Sequence, residues 1–179
     1  MNKQRVKWTL LVLAIVVLAM ELFQPKHTNP MVIPSRSLGS HVTVPESVQS
    51  VLQRSCYDCH SNATVWPWYS HVAPVSWMVV DDVNTGRRHI NFQDWEAQEN
   101  EKEAKEHLGL ICKEVRTHGM PLFSYRLMHR DARLSDQDVK TLCAWSEPFA
   151  ADDGAADGQE HEHHHDHHAD DHDSDDHKH

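Results

Sequence analysis

Five consecutive residues, Cys56-Tyr57-Asp58-Cys59-His60, constrain this chain more than any other part of it. Two thiols separated by two residues and followed at once by an imidazole are the pattern of covalent haem attachment. The thiols reach the two vinyl groups on one haem edge, and the histidine is then held under the iron as proximal ligand. A Cys-x-x-Cys pair also occurs in thioredoxin-like redox sites, but those need a strand-helix-strand context, and no strand-like alternation is present. It forms half of many zinc sites too, yet no second Cys/His pair at zinc spacing is available between residues 46 and 149. Cys56, Cys59 and His60 are therefore read as the attachment site of one haem c.

The two ends of the chain differ from its middle. Lys3, Arg5 and Lys7 precede an uncharged run from Trp8 to Met20, and Leu22 and Phe23 follow Glu21. Over residues 8–23 a helix would reach ~24 Å at ~1.5 Å per residue, which is short for a bilayer unless flanking lysines snorkel. Residues 1–23 are expected to be an uncleaved signal anchor, with a cleaved signal peptide as the alternative. Either way the basic cluster stays in the cytoplasm, and the rest faces the bacterial periplasm from the inner membrane. Of the formal charge of −10, all lies in the tail beyond residue 150, so the remainder is neutral. A neutral domain gives no electrostatic reason to bind nucleic acid.

Between these ends the chain reads as helical. Residues 24–45, with Pro25, Pro30, Pro34 and Pro45, lack periodicity and are expected to be a linker. A first helix is predicted from Glu46 to Arg54, its apolar stripe made by Val48, Val51 and Leu52. A second is predicted from Pro74 to Thr85, ended by Gly86. A third would start near Asn91 or Asp94 and run to His118, stopped by Gly119. A last helix starts at Ser135, where Asp138 makes a variant capping box.

The iron of such a haem usually takes a second axial ligand, Met or His. Met120 is the first choice, because Gly119 and Pro121 free it from a helix. Met78 lies on a predicted apolar face and is expected in the core, and His129 is the next candidate ligand. Arg87 and Arg88 are candidates for pairing with the haem propionates. Trp66, Trp68, Trp77 and Trp95 are expected to line the haem or the core. Cys112 and Cys143 either form a disulfide or stay as two buried thiols, and spacing alone leaves both open.

At this level the chain resembles the haem-binding domain family of small bacterial cytochromes. The matching elements are Cys56 to Asn62, Trp66 to Tyr69, Pro74 to Trp77, Gly86-Arg87, Asn91-Phe92 with Trp95, and Gly119-Met120-Pro121. Tyr125, His129, Ala132-Arg133-Leu134 and Trp145 continue the likeness, which covers about residues 24–148. The resemblance implies an all-α, cytochrome c-like helical domain around one covalent haem, here at residues 46–149. It supplies no reaction.

The last segment, 150–179, is almost only Asp, His, Ala and Gly, and is expected to be disordered. His161, His163, His164, His165, His167 and His168 with their carboxylates suit loose binding of Zn, Ni, Cu or Co. Nothing beyond the haem forms an acid-base or nucleophilic constellation. The sequence is thus read as a single-electron carrier rather than an enzyme, working with redox partner proteins at the membrane. A sensor or peroxidase-like enzyme with an open sixth site, or a metal-handling protein using the tail, are the alternatives.

Overall fold

A computed structural model describes residues 2–95 and 101–151. The described chain is all-α. It comprises α1 (Lys3–Met20), α2 (Glu46–Ser55), α3 (Tyr57–His60), α4 (Val75–His89), α5 (Glu101–Arg116), α6 (Phe123–Met128) and α7 (Asp136–Ala151), joined by short 3-10 turns. Among the described residues there is no strand. The tail histidines His161, His163, His164, His165, His167 and His168 lie outside the described residues.

The core forms where α2, α5 and α7 meet. Val48, Val51 and Leu52 of α2 are buried, as their spacing predicts. They pack with Leu108 and Val115 of α5, Leu142 of α7, and Phe92 and Trp95 from the loop after α4. Cys112 and Cys143 are joined as a disulfide that staples α5 to α7, settling the open alternative of the sequence. Near the same seam a Cβ on Gly109 would lie 2.7 Å from the Ala150 nitrogen, so the helices approach closely because Gly109 has no side chain. The capping box opening α7 is present: Ser135 N–H donates to Asp138 Oδ2 at 2.8 Å, and Asp138 N–H donates to Ser135 Oγ at 3.2 Å.

Three predicted boundaries are corrected. Helix α4 does not end at Gly86 but continues to His89. Gly86 has ordinary helical geometry, and its missing side chain serves a contact instead of a stop. At the end of α5 the left-handed residue is His118 (φ 60°), not Gly119. Histidine is among the residues that tolerate this region. Of the two expected starts of the third helix, Asn91 is excluded, since its side chain accepts from Gln93 N–H in a local turn; a start at Asp94 runs into residues 96–100, which lie outside the described residues, and α5 is described from Glu101.

Residues 24–45, expected to be a linker, are bound to the domain along their length. Leu38 is fully buried in the core, and its N–H donates to Phe92 O at 2.8 Å. Arg36 pairs with Asp94 at 2.6 Å. His27 Nε2–H donates to Ser70 O at 2.7 Å, and Asn29 Nδ2 donates to Thr64 O at 2.8 Å. These contacts, a backbone bond, an ion pair and two side-chain bonds to carbonyls, fall at irregular intervals and leave no periodic trace in the sequence.

Candidate haem site

Helix α2 delivers the attachment motif. Its last turn runs into Cys56, whose N–H donates to Leu52 O, and the single turn α3 then carries Tyr57 to His60. Cys56, Cys59 and His60 are thus brought together on adjoining turns, as the sequence requires. The two cysteines are half-buried and not bonded to each other. Burial, and then the neighbouring Cys59, push the Cys56 thiol up to about 12. Burial, followed by Asp58 and Asp82, pushes the Cys59 thiol up to about 12 against the pull of Arg87.

His60 is fixed by backbone. Its Nδ1–H donates to Ile90 O at 3.1 Å, and its own carbonyl accepts from Phe92 N–H at 2.9 Å. Because Nδ1 faces a carbonyl it carries the proton, so Nε2 holds the lone pair. Burial lowers the basicity of the ring, outweighing the carbonyls of Ile90 and Gly86 that would raise it. The result is a neutral imidazole with one ring nitrogen free to bind iron. An Nδ1–H bond to a carbonyl is the usual second partner of a metal-binding histidine.

Helix α4 presses on the motif from the side. A Cβ on Gly86 would stand 2.7 Å from Cys59 O and 3.3 Å from Cys59 Cβ. Next along the helix, Arg87 binds four oxygens: Ser61 O and Thr28 O at 2.7 Å, Thr64 Oγ1 at 2.8 Å and Asn29 Oδ1 at 3.1 Å. Its guanidinium ties the loop after His60 to residues 28–29, so the donors expected to meet propionates are largely spent inside the chain. Arg88 Nη2 donates to Thr85 Oγ1 at 2.7 Å. Beneath the loop the buried Asn91 Nδ2 donates to Asn62 Oδ1 at 2.8 Å.

A second set of side chains gathers at Asp58, between the two cysteines. Tyr125 O–H donates to Asp58 Oδ2 at 2.7 Å, and Val65 N–H donates to Asp58 Oδ1 at 3.1 Å. The Tyr125 ring stacks on His129 with centroids 4.3 Å apart, and His129 Nε2 is hydrogen-bonded to Tyr69 O–H at 2.7 Å. Burial first, and then the bond to Asp58, raise the Tyr125 hydroxyl above its usual range. The sequence places Tyr125 only within a shared pattern and offers His129 as the alternative axial ligand, whose Nε2 is here engaged by Tyr69 O–H. Ile90 was missed altogether, because it contributes a carbonyl and its side chain carries no signal of that role.

Met120 stands apart from this group. It follows the end of α5, where its N–H donates to Glu114 O at 3.1 Å. With Val115, Phe123, Leu127, Leu134 and Val139 it lines a cavity of about 370 Å³, and none of Cys56, Cys59 or His60 contributes to that wall. Met78 is not in the core: it is 61% exposed. Among the tryptophans only Trp95 is deeply buried, while Trp68 is exposed and Trp66 Nε1 donates to Asn29 Oδ1 at 3.1 Å.

No curated protein and no solved structure matches the chain. The model of one family, described as a haem-binding domain, matches residues 15–148 and so spans both the cysteine motif and Met120. This match, over most of its length, places the chain in the haem-binding domain family.

Proposed function

We propose that the protein is a membrane-anchored, periplasm-facing monohaem c-type cytochrome that transfers single electrons. The observation that carries the reading is the state of His60, whose Nδ1–H is spent on Ile90 O and whose Nε2 remains a donor to iron, beside two unpaired thiols. Cys56 and Cys59 would hold the haem through thioether bonds, each S–H adding across one vinyl group with sulfur on one carbon and hydrogen on the other, a reaction that needs no oxidant. The bound haem supplies a reversible one-electron change between ferrous and ferric iron. His60 would hold the iron through Nε2, and Met120 is the residue proposed to supply a second ligand. A thioether there favours the ferrous state and raises the potential.

The anchor is α1 with the 3-10 turn that follows it, Lys3–Phe23, an apolar segment of 21 residues and long enough to cross a bilayer. Lys3, Arg5 and Lys7 at its start favour the orientation with the haem domain outside the cytoplasm.

A haem sensor or enzyme with an open sixth position is the second reading, favoured by the placement of Met120 on a cavity that the attachment motif does not line. Visible spectra of the full chain, made together with haem-attachment machinery, separate the two. The carrier gives a covalent low-spin haem whose weak near-infrared Met–iron band disappears in Met120→Ala. A high-spin haem that binds carbon monoxide at once on reduction rejects Met120 as resting ligand. Absence of covalent haem rejects the proposal.

A further inference from the structure

We propose that the domain is seated in the bilayer surface through one face, formed by the loop before α4 and the first turn of that helix. This rests on the reading of α1 as a retained membrane helix. The face carries Val72, Val75 and Trp77, which are 43%, 40% and 38% exposed, beside Leu22 and Phe23, which are 80% and 75% exposed. Its occupant is the headgroup–acyl boundary of the lipid.

The argument is one of continuity. Phe23 is the last residue of the apolar segment that begins at Lys3. Trp77 Nε1–H donates to Phe23 O at 2.8 Å, so the indole sits where that segment ends. Two residues earlier, the Glu21 carboxylate accepts from Ala73 N–H at 3.0 Å, and Gln24 donates to its other oxygen. The end of the membrane helix is therefore fastened at two points to the start of α4, and Val72 and Val75 flank one of them. His27, bonded to Ser70 O, continues the fastening. A domain attached in this way cannot lift its first α4 turn away from the boundary without breaking these bonds.

The chemistry of the face suits that place. Trp is favoured at the membrane interface, where its ring meets acyl chains and its N–H meets a polar partner. Here the N–H is already satisfied, leaving the ring free for the apolar side. The single acidic group near the end of the segment is held by a backbone N–H rather than left bare, which lessens the cost of placing it at the boundary.

The test uses the full haem-loaded chain in phosphatidylethanolamine–phosphatidylglycerol vesicles. A photoreactive benzoylphenylalanine replaces Val72 or Val75 in separate variants, with Leu13 inside α1 as positive control and the exposed Lys140 of α7 as negative control. Irradiation is expected to give lipid adducts at 13, 72 and 75, several-fold above position 140. Adducts at 13 without adducts at 72 or 75 overturn the proposal while leaving the anchor intact. Loss of α1 by mass, or no adduct at 13, overturns the anchor reading itself. Cross-links from 72 and 75 to a second copy in place of lipid show a protein interface and overturn the lipid assignment.

Discussion

Replacing Gly86 with alanine tests how firmly α4 holds the attachment motif. The new Cβ would stand 2.7 Å from Cys59 O and 3.2 Å from Cys59 C, where ordinary contact begins near 3.4 Å. Both atoms are backbone, so no side-chain rotation relieves the overlap, and α4 and α3 must separate by roughly 0.7 Å at this point. Overpacking of this kind costs about 1–3 kcal/mol. The better helix propensity of alanine returns about 1 kcal/mol. The net loss is about 1 kcal/mol, with a ceiling near 2, or a fall in melting temperature of about 3–6 °C for a domain of this size. Gly39 is an internal control, since a Cβ there meets nothing within 4 Å. Circular dichroism melts of the full chain in detergent, with and without haem, read the stability. Haem staining on a denaturing gel reads the covalent yield, which falls in Gly86→Ala because the overlap displaces Cys59. Melting of Gly86→Ala at or above the parent, with full haem yield and no difference from Gly39→Ala, would refute the reasoning.

Two further outcomes follow from the α5–α7 side. Replacing Cys112 and Cys143 by serine removes a link across 31 residues. It should cost roughly 3–4 kcal/mol in chain entropy, seen as a lower melting temperature that reductant no longer changes. Asp138 supplies a pH dependence: burial alone would raise its carboxyl, but the N–H and O–H of Ser135 and the Arg54 guanidinium hold it below the ordinary 3.8. A lowered folded value means that its stabilisation is full above pH 3.8 and is lost as pH falls through that folded value. Asp138→Asn should melt below the parent at pH 7, and the gap should close in acid; a constant gap down to the lowest pH of folding would reject the assignment.

What the sequence shows and hides here follows from the kind of signal each feature leaves. Val48, Val51 and Leu52 mark α2 because burial repeats with the helix turn. Ser135 and Asp138 mark the start of α7 because a capping box has fixed spacing. The cysteines and His60 stand out because covalent haem attachment, as proposed, needs that order. Gly86 is different: a glycine that ends a helix and one that lets another backbone approach look the same until the neighbour is known. Residues 24–45 mislead for a related reason. Prolines and absent periodicity describe the backbone of a flexible linker, but also that of a segment held by Leu38, Asn29 and His27 at irregular intervals. The positive φ at His118 next to Gly119 shows the same limit, since the more permissive residue was not the one used.

The hold of Arg87 and Asn29 on the segment leaving α1 bears on how a carrier anchored by α1, as proposed above, would meet its partners. A carrier on a slack tether swings through a hemisphere, and the length of its tether sets its reach. This domain, tied down from Glu21 to Asn29, has almost no slack to spend. Its exchange with another membrane-bound protein would depend on sideways diffusion in the plane of the bilayer, with both haem-bearing surfaces at matching heights. For the proposed carrier, encounter would become a two-dimensional search, and the choice of partner a question of elevation.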